Sequence, residues 1–440
     1  MLKKNIFLKK KILIYGLGKS GLSSFHFLKK KNSISIYDDN KNITKNRIKK
    51  TFFINYKDIS DKKFDFIVIS PGINIDNCKL KKYLKINKSK IITDLDIFYS
   101  QYHKNKNITI TGTNGKSTTA KILFEVLKDQ KWDVRLTGNI GKPILNEKKI
   151  SLKTIFVIEA SSYQIEYTKN FKANYAVLLN ITPDHLERHG TFYNYFKSKF
   201  KLIRNQTSKD CAFLNVKNKF FKKEAQKKKI NTKIINVDIN YDKKNLKYIK
   251  NSYFMTSGNQ ENLAYIFALA NKLNLNKNSL FKTINSFKGL KYRQQTIFKS
   301  KKLTIINDSK ATSFSSSVSV LRSLNKVYWI IGGIPKLGDK FFLTKKECTN
   351  YTAYIFGNNR SFFIKQLKNR LKCQNFISLK NAIKKIKIDI VSEKNFEHKT
   401  ILFSPSAASF DNFKNFEERG RKFNLLVNKL KIKKLINAKR

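Results

Sequence analysis

Negative charge is scarce in this chain: 30 Asp and Glu stand against 91 Lys and Arg, for a formal net charge of +61. Taken alone, that surplus points to nucleic acid. The lysines, however, are spread along the whole sequence and accompany many Asn and Ile, as codon bias in an AT-rich genome leaves them. No tail or stripe gathers them, so no specific nucleic-acid partner is expected, although a positive field favours anionic substrates. Cysteine is also rare. Cys78, Cys211, Cys348 and Cys373 lie far apart with no CxxC pair, which excludes a disulfide framework and a zinc site. No apolar run approaches the roughly 18 residues of a membrane span. The early apolar run Ile12–Tyr15 is too short for a signal sequence, and no small-residue cleavage site follows it. A cytoplasmic protein without membrane insertion is expected. Pro (5) and Gly (16) are few, so those present mark structure.

The 440 residues, 41% of them hydrophobic, can build roughly two to four domains. Residues 1–103 alternate strands (Lys11–Tyr15, Ser33–Tyr37, Phe64–Ser70) with a helix over Gly21–Lys31, a βαβ pattern that implies a parallel sheet. Residues 104–296 contain strands at Thr154–Glu159, Tyr175–Asn180, Ala212–Asn215 and Lys233–Val237, then a helix near Asn262–Leu273. Residues 297–440 contain strands at Leu303–Asn307, Val327–Ile331, Ala353–Phe356 and Thr400–Phe403, and end in a helix over Asn415–Leu435.

The most informative stretch is Ile108-Thr-Ile-Thr-Gly112-Thr113-Asn114-Gly115-Lys116-Ser117-Thr118, followed by an amphipathic run to Leu127. It reads as a β-branched strand, a glycine loop and a helix. Backbone N–H groups in such a loop close around phosphate oxygens, and the helix N-terminus and Lys116 add positive charge. Ser117 is placed to ligate Mg²⁺. The loop is a compressed phosphate loop, since position 110 is Ile where the usual spacing has Gly. It implies a bound nucleoside triphosphate.

An earlier loop, Gly16-Leu-Gly18-Lys-Ser20-Gly21, fits GxGxxG, and Asp38 and Asp39 end the next strand. Alone it suggests a dinucleotide-dependent oxidoreductase. Beside a second nucleotide loop it is better read as the cradle of a nucleotide-linked substrate. Four further clusters sit at strand ends. Glu159, in Glu-Ala-Ser-Ser-Tyr-Gln164, can bind Mg²⁺ or cap a helix. Asp184 and His185 share a turn with Arg188 and His189, which favours a metal or anion role. Asp308-Ser-Lys310-Ala-Thr312-Ser313 offers a ribose or lysine acceptor, with Thr312 and Ser313 able to cap the following helix. Ser409-Phe-Asp-Asn-Phe-Lys-Asn-Phe416 is a polar-aromatic loop suited to small-molecule recognition or to a buried helix start. Lys199, within Tyr195-Phe-Lys-Ser-Lys199-Phe-Lys201, reads by residue type alone as part of a solvated helix face.

These motifs together resemble the Mur ligases, ATP-dependent enzymes that form amide bonds in peptidoglycan precursors. The likeness rests on Gly-Thr-Asn-Gly-Lys-Ser, Glu-Ala-Ser-Ser-Tyr-Gln, Asn139-Ile-Gly and the Asp184-His185 turn, in order along essentially the whole chain. Asn307-Asp-Ser-Lys-Ala-Thr312 and Ser409–Gly420 are similar to the branch that adds D-glutamate to UDP-N-acetylmuramoyl-L-alanine. The resemblance implies three α/β domains: a Rossmann-like N-terminal domain for the UDP substrate, a central P-loop-type ATPase domain and a Rossmann-like C-terminal domain for the amino acid. It implies ATP as co-substrate, Mg²⁺ and a monomer, with the active site where the three domains meet. Catalytic roles are implied for Lys116, Glu159, His185 and Lys199, with metal held by Ser117, Glu159, His185 and a carbamylated Lys199. The ATP set adds Gly112, Thr113, Asn114, Gly115, Thr118, Asn259, Arg293 and Asp308. Ser20, Asp38, Ser70 and Asn139 are implied on the UDP-muramoyl side, and Asp184, Lys310, Thr312, Lys336, Ser409 and Phe416 on the D-glutamate side. The chain departs from the pattern at Gly258 and Tyr292, where His is usual, at Gln295, where an acid is common, and at Lys201, where Arg stands. Gly332-Gly-Ile-Pro-Lys336 also lacks the usual Asp-Gly before its lysine. The competing readings are another amide ligase of the superfamily, folylpolyglutamate synthase included, and a dehydrogenase.

Overall fold

The computed structural model of the chain describes residues 6–40, 48–227, 230–238, 243–393 and 397–432. Its strands form three sheets. In the first, β1 (Lys11–Tyr15), β2 (Ser33–Tyr37), β3 (Phe66–Ile69) and β4 (Ile91–Ile92) are all parallel, in the order β2-β1-β3-β4. The second contains β5 (Asn107–Thr111), β6 (Val134–Gly138), β7 (Ile155–Glu159), β8 (Tyr175–Leu178), β9 (Cys211–Leu214) and β10 (Lys233–Asn236). It is parallel throughout, in the order β10-β9-β8-β5-β7-β6. The third contains β11 (Gln295–Lys299), β12 (Leu303–Asn307), β13 (Val327–Gly332), β14 (Tyr351–Phe356), β15 (Lys372–Phe376) and β16 (Lys399–Phe403). Its order is β11-β12-β16-β13-β14-β15, with β11 antiparallel to β12 and the rest parallel. Parallel strands need crossover connections, which here are mostly helical. Helices cover the faces of the sheets, and the central strands are buried along their length. β5, β7 and β13 are buried at every position.

The three-sheet α/β fold agrees with the sequence, and β1 and β12 match their expected bounds residue for residue. Four strands were not expected. β6 and β15 are edge strands with polar residues, and β4 has only two residues. β11 straddles the expected boundary at 296. The first helix runs Lys19–Leu28, starting earlier than expected because Gly18 is its N-cap. The last runs Phe416–Lys429, and positions 433–435 of the expected helix lie outside the described residues.

The chain falls into two compact units. One comprises Met1–Ile181, Arg188–Asn245 and Asn262–Ile284; the other comprises Thr182–Glu187, Leu246–Glu261 and Asn285–Arg440. Within the first, one apolar core joins the first two sheets: Ile12, Ile14 and Val68 belong to the same cluster as Phe156, Ile158 and Leu178, and Phe98 meets Phe156 edge-on at 4.7 Å. In the second, apolar layers cover both faces of the third sheet, with Ile305 and Phe403 on one side and Trp329 and Ile331 on the other.

A single carboxylate fastens the helix Asp94–Tyr102 to the loop before β8. Asp96 Oδ1 accepts from the backbone N–H groups of Lys169 (2.9 Å), Asn170 (2.8 Å) and Phe171 (3.0 Å). Its Oδ2 accepts from Thr93 N and Thr93 Oγ1, both at 3.0 Å, closing a capping box. Hydrogen bonds to a charged acceptor are among the stronger ones, and here the group is buried. Asp96→Ala should therefore lower the free energy of unfolding by about 3 kcal/mol or more. Urea unfolding measures this, and a loss below about 1 kcal/mol would show that the clip is incidental.

Candidate active site

The phosphate loop leaves the carboxyl end of β5, where parallel sheets bind ligands. Gly112 has φ +148, and a Cβ there would stand 3.0 Å from Leu179 Cβ and 3.3 Å from Asn180 N. Gly115, at φ +84, is the N-cap of the helix Lys116–Asp129; a Cβ there would come within 2.0 Å of Asn262 Oδ1. Only glycine fits both places. Asn180 holds the loop in shape, its O accepting from Thr113 N at 3.0 Å and its Oδ1 from Asn114 N at 2.8 Å. Lys116 Nζ donates to Gly112 O (2.8 Å) and Thr113 O (2.7 Å), so its ammonium lies across the loop where phosphate charge would arrive. Thr118 is buried in the first turn of the helix. Asn262 was missed by sequence reasoning. Its signal was present, as the second Asn of the Asn-x-x-Asn pattern that begins at Asn259.

Glu159 ends β7 beside this loop and is 1% exposed. Its Oε2 accepts from Ser117 Oγ at 2.6 Å and its Oε1 from Asn139 Nδ2 at 2.9 Å. Asn139, which the resemblance puts on the UDP-muramoyl side, thus meets Glu159. Both donors are neutral, so the charge of a buried carboxylate is only partly answered. Ser117 Oγ and the Glu159 carboxylate form a hard oxygen pair that fits Mg²⁺. Among the described residues no group of three His, Cys, Asp or Glu side chains could hold a metal ion. The expected set relies on a hydroxyl and a carbamate instead.

Lys199 lies on the helix Phe192–Arg204 and is 2% exposed, contrary to the solvated face that residue type alone implies. Its Nζ donates to Gly112 O at 2.8 Å and reaches Thr111 Oγ1 at 3.5 Å. The Tyr195 ring lies 4.9 Å from Nζ, and the Tyr195 hydroxyl sits 3.1 Å from Thr113 Oγ1. Nearby, Glu166 holds Arg188 at 2.8 Å, and burial pushes its carboxyl upward against that cation.

The first glycine loop is braced by the residues expected to touch substrate. Ser70 Oγ donates to Gly16 O at 2.7 Å, and Asp38 accepts from Leu17 N (2.6 Å) and Asn40 N (2.8 Å). Burial pushes the carboxyl of Asp94 upward, with Ser20 opposing.

The second unit holds Asp184, His185, Asn259, Arg293, Asp308, Lys310, Thr312, Lys336, Ser409 and Phe416; the other expected site residues lie in the first. Lys336 Nζ pairs with Asp184 Oδ1. His185 has φ +54, and its ring lies 3.5 Å from Asp184 Oδ2 and 3.4 Å from Glu187 Oε1. Burial holds its pKa below the usual histidine value, with Asp184 opposing. Phe416 carries two cations on its ring, Lys310 Nζ at 4.3 Å and the Arg293 guanidinium at 6.0 Å. This brings an expected ATP residue and an expected glutamate residue to one aromatic face. Ser409 is buried and Thr312 half-buried. The cap of the helix Phe314–Leu321 differs from expectation: Ser313 makes no side-chain cap bond, and Asp339 Oδ2 accepts from Phe314 N at 2.8 Å instead. Thr312 and Ser313 were the nearby candidates, and the real cap comes from 25 residues away.

Asp308 follows β12, 6% exposed, and accepts from Gln294 N and Ser404 Oγ, both at 3.0 Å. Burial raises its carboxyl to about 7, although Arg293 and Arg419 pull it down. A carboxyl raised on folding stabilises the fold fully below its unfolded value near 4, and that contribution is lost as pH climbs to about 7. Asp308→Asn keeps the shape and removes the titration. The stability difference, variant minus wild type, should therefore grow between pH 4 and 7, as followed by thermal melts across that range. A pH-independent difference would refute the assignment.

Comparison with known proteins agrees with this geometry. Residues 110–284 match the Mur ligase middle domain, and residues 10–92 match the Mur ligase MurD-like N-terminal domain. The chain is 32% identical over 447 residues to a UDP-N-acetylmuramoylalanine–D-glutamate ligase of Rickettsia bellii, covering 96% of this chain and 98% of that protein. It is 34% identical to the protein of that name from Rickettsia felis, with coverages of 94% and 96%. It is 33% identical to the one from Francisella tularensis subsp. novicida, with coverages of 96% and 97%. Among solved structures, MurF ligase from Thermotoga maritima in complex with ADP shares the fold at TM-score 0.59 and 16% identity, covering 99% of this chain and 97% of that one. The UDP-N-acetylmuramate-alanine ligase MurC from Thermotoga maritima does so at TM-score 0.53 and 16% identity, with coverages of 96% and 99%. The chain belongs to the Mur ligase family.

Proposed function

We propose that the chain is the ATP-dependent ligase that adds D-glutamate to UDP-N-acetylmuramoyl-L-alanine in peptidoglycan precursor synthesis. The observation that carries this reading is the intact phosphate loop, with Lys116, Ser117, Glu159 and Lys199 gathered around it, in a chain alike over its full length to proteins of that name. Residues 1–103 serve the UDP substrate, 104–296 the ATP and 297–440 the amino acid. No helix among the described residues is long and apolar enough to cross a membrane. The enzyme works as a cytoplasmic monomer, where the UDP-linked acid and ATP are found.

The chemistry begins from a carboxylate, a poor acyl donor. Its oxygen attacks the γ-phosphorus of ATP, ADP leaves, and an acyl phosphate forms. The amine of D-glutamate attacks the acyl carbon to give a tetrahedral intermediate. That intermediate expels inorganic phosphate and the nitrogen loses a proton, so the net products are ADP, phosphate and the amide. The loop N–H groups and Lys116 hold the transferring phosphoryl and offset its charge. For this, Lys116 exchanges its bonds to the Gly112 and Thr113 carbonyls for phosphate oxygens. Ser117 and Glu159 would hold Mg²⁺, which supplies further neutralisation of phosphate charge. Asp184, Lys310, Thr312, Lys336, Ser409 and Phe416 form the glutamate side, and His185 and a carbamylated Lys199 complete the metal-facing set. Carbamylation leaves one N–H on Nζ, so the bond to Gly112 O can survive while a cation becomes an anion.

The test is phosphate and ADP release with UDP-N-acetylmuramoyl-L-alanine. D-glutamate should support turnover, and L-glutamate and other amino acids should not; equal activity with another amino acid would move the chain to a different ligase. Lys116→Ala should lower kcat at least about a hundredfold with an unchanged melting temperature. Near-normal turnover in that variant would refute the role of the loop. Lys199→Ala should lose activity to a similar degree and regain part of it with short carboxylic acids, and ¹³CO₂ labelling should show a carbamate on the wild type alone.

A further inference from the structure

We propose that Gln294 is a positioning residue that couples Asn259 to Asp308, fixing two nucleotide-side groups from separate elements on one turn. The proposal rests on the reading above for what those two residues bind. Gln294 Oε1 accepts from Asn259 Nδ2 at 3.0 Å and from Thr256 Oγ1 at 3.2 Å. The backbone N–H of the same residue donates to Asp308 Oδ1 at 3.0 Å. Asn259 stands in the first turn of the helix Ser257–Lys272, and Asp308 follows β12. One residue therefore bridges them, using its side chain toward one and its main chain toward the other.

The backbone of this turn is strained. Tyr292 has φ +62 and Gln294 φ +46, a region that side-chain-bearing residues rarely adopt. Such conformations persist where surrounding contacts over-determine them, and they collect at functional sites. The contacts are present: Tyr292 O accepts from Lys310 N at 3.0 Å, and Tyr292 N donates to Gln295 Oε1 at 3.1 Å. The strain delivers Arg293, between the two left-handed residues, to the Phe416 ring.

The side-chain chemistry explains why residue 294 must present an acceptor. Asn259 Nδ2 carries two hydrogens, and it donates to Gln294 Oε1 and to Tyr253 O at 2.7 Å. Together these two bonds fix which way the amide faces. Without Gln294 Oε1, the Asn259 amide loses one of the two acceptors that hold its Nδ2, and its position loosens. Glutamate at 294 would keep an acceptor there, and methionine would keep the size and remove it.

Kinetics of the full-length enzyme test this. Gln294→Met should raise KM for ATP about five- to tenfold, the worth of one hydrogen bond, with kcat within about twofold. KM for D-glutamate and the melting temperature should stay close to wild type, and Gln294→Glu should bring KM for ATP back. An unchanged KM for ATP in Gln294→Met would overturn the proposal. So would a parallel worsening of every constant that Gln294→Glu fails to rescue. If the methionine variant does not fold, Gln294→Leu takes its place under the same criteria. If the wild type releases no phosphate with D-glutamate, the functional reading fails separately. Calorimetry with ADP then decides the positioning role: weakened binding in Gln294→Met that Gln294→Glu restores supports it, and equal affinities overturn it.

Discussion

The Glu159 carboxylate, 1% exposed and answered among the described residues by a hydroxyl and an amide, is the constraint around which the ligand edge of the central sheet is arranged. Burying such a group is costly unless hydrogen bonds or a cation repay it. Glu159 therefore dictates its surroundings. The backbone of the same residue confines Gly138, at φ +100, since a Cβ there would lie 2.3 Å from the Glu159 main-chain O. Asn139 N bonds the same carbonyl at 2.9 Å while its side chain turns to the carboxylate. Ser117 can reach Glu159 because Gly115 allows the loop to turn tightly into the helix. The partial compensation is what makes the site receptive to a divalent cation, whereas a lysine partner would have closed it.

Much of this was legible in the sequence for a physical reason. Buried parallel strands favour apolar and β-branched residues, and β1, β5 and β12 show them openly. Glycines with forced geometry stand out in a chain that has few. Contacts made across long sequence separations were not legible. The Asp96 clip joins residues 73–75 positions apart, and Asp339 caps a helix 25 positions away. Nothing local distinguishes these carboxylates from solvated ones. Lys199 is the sharpest case: in a helix rich in lysine its residue type implied solvent, and only the family resemblance pointed inward. Edge strands β6 and β15 were missed because solvent on one side lets polar residues replace the apolar pattern.

Two positions where the resemblance implies histidine are closely packed in this chain. Gly258 stands where a histidine is usual, and a Cβ there would come within 2.9 Å of Ser319 Oγ, on the helix Phe314–Leu321. The missing side chain permits that approach. Tyr292, the other replaced histidine, lays its ring where a Cβ on Gly420 would stand 2.4 Å away. The residue at 420 is thereby confined to glycine, and the strained turn that carries Arg293 is wedged against the last helix. Both departures leave the phosphate loop and Glu159 untouched.

The surplus of 61 positive charges meets this site mainly through its buried members. Surface lysines are screened within about 8–10 Å at physiological salt and set a diffuse field. A buried cation acts in a less polarisable medium and holds one position. Arg419 is fully buried, with Nη2 donating to Ser309 O at 2.7 Å and Ala407 O at 2.9 Å. Burial lowers its pKa to about 10, which still leaves it charged at neutral pH. Burial raises the Asp308 carboxyl to about 7 against the pull of the Gln294 N–H, the Ser404 hydroxyl and Arg293, and Arg419 adds the smallest share of that pull. The same guanidinium ties the Asp308-Ser309 strand end to the loop at Ala407. One buried cation thus fixes the place of the loop and adds to the forces on its acid, from a position that the lysines outside do not share.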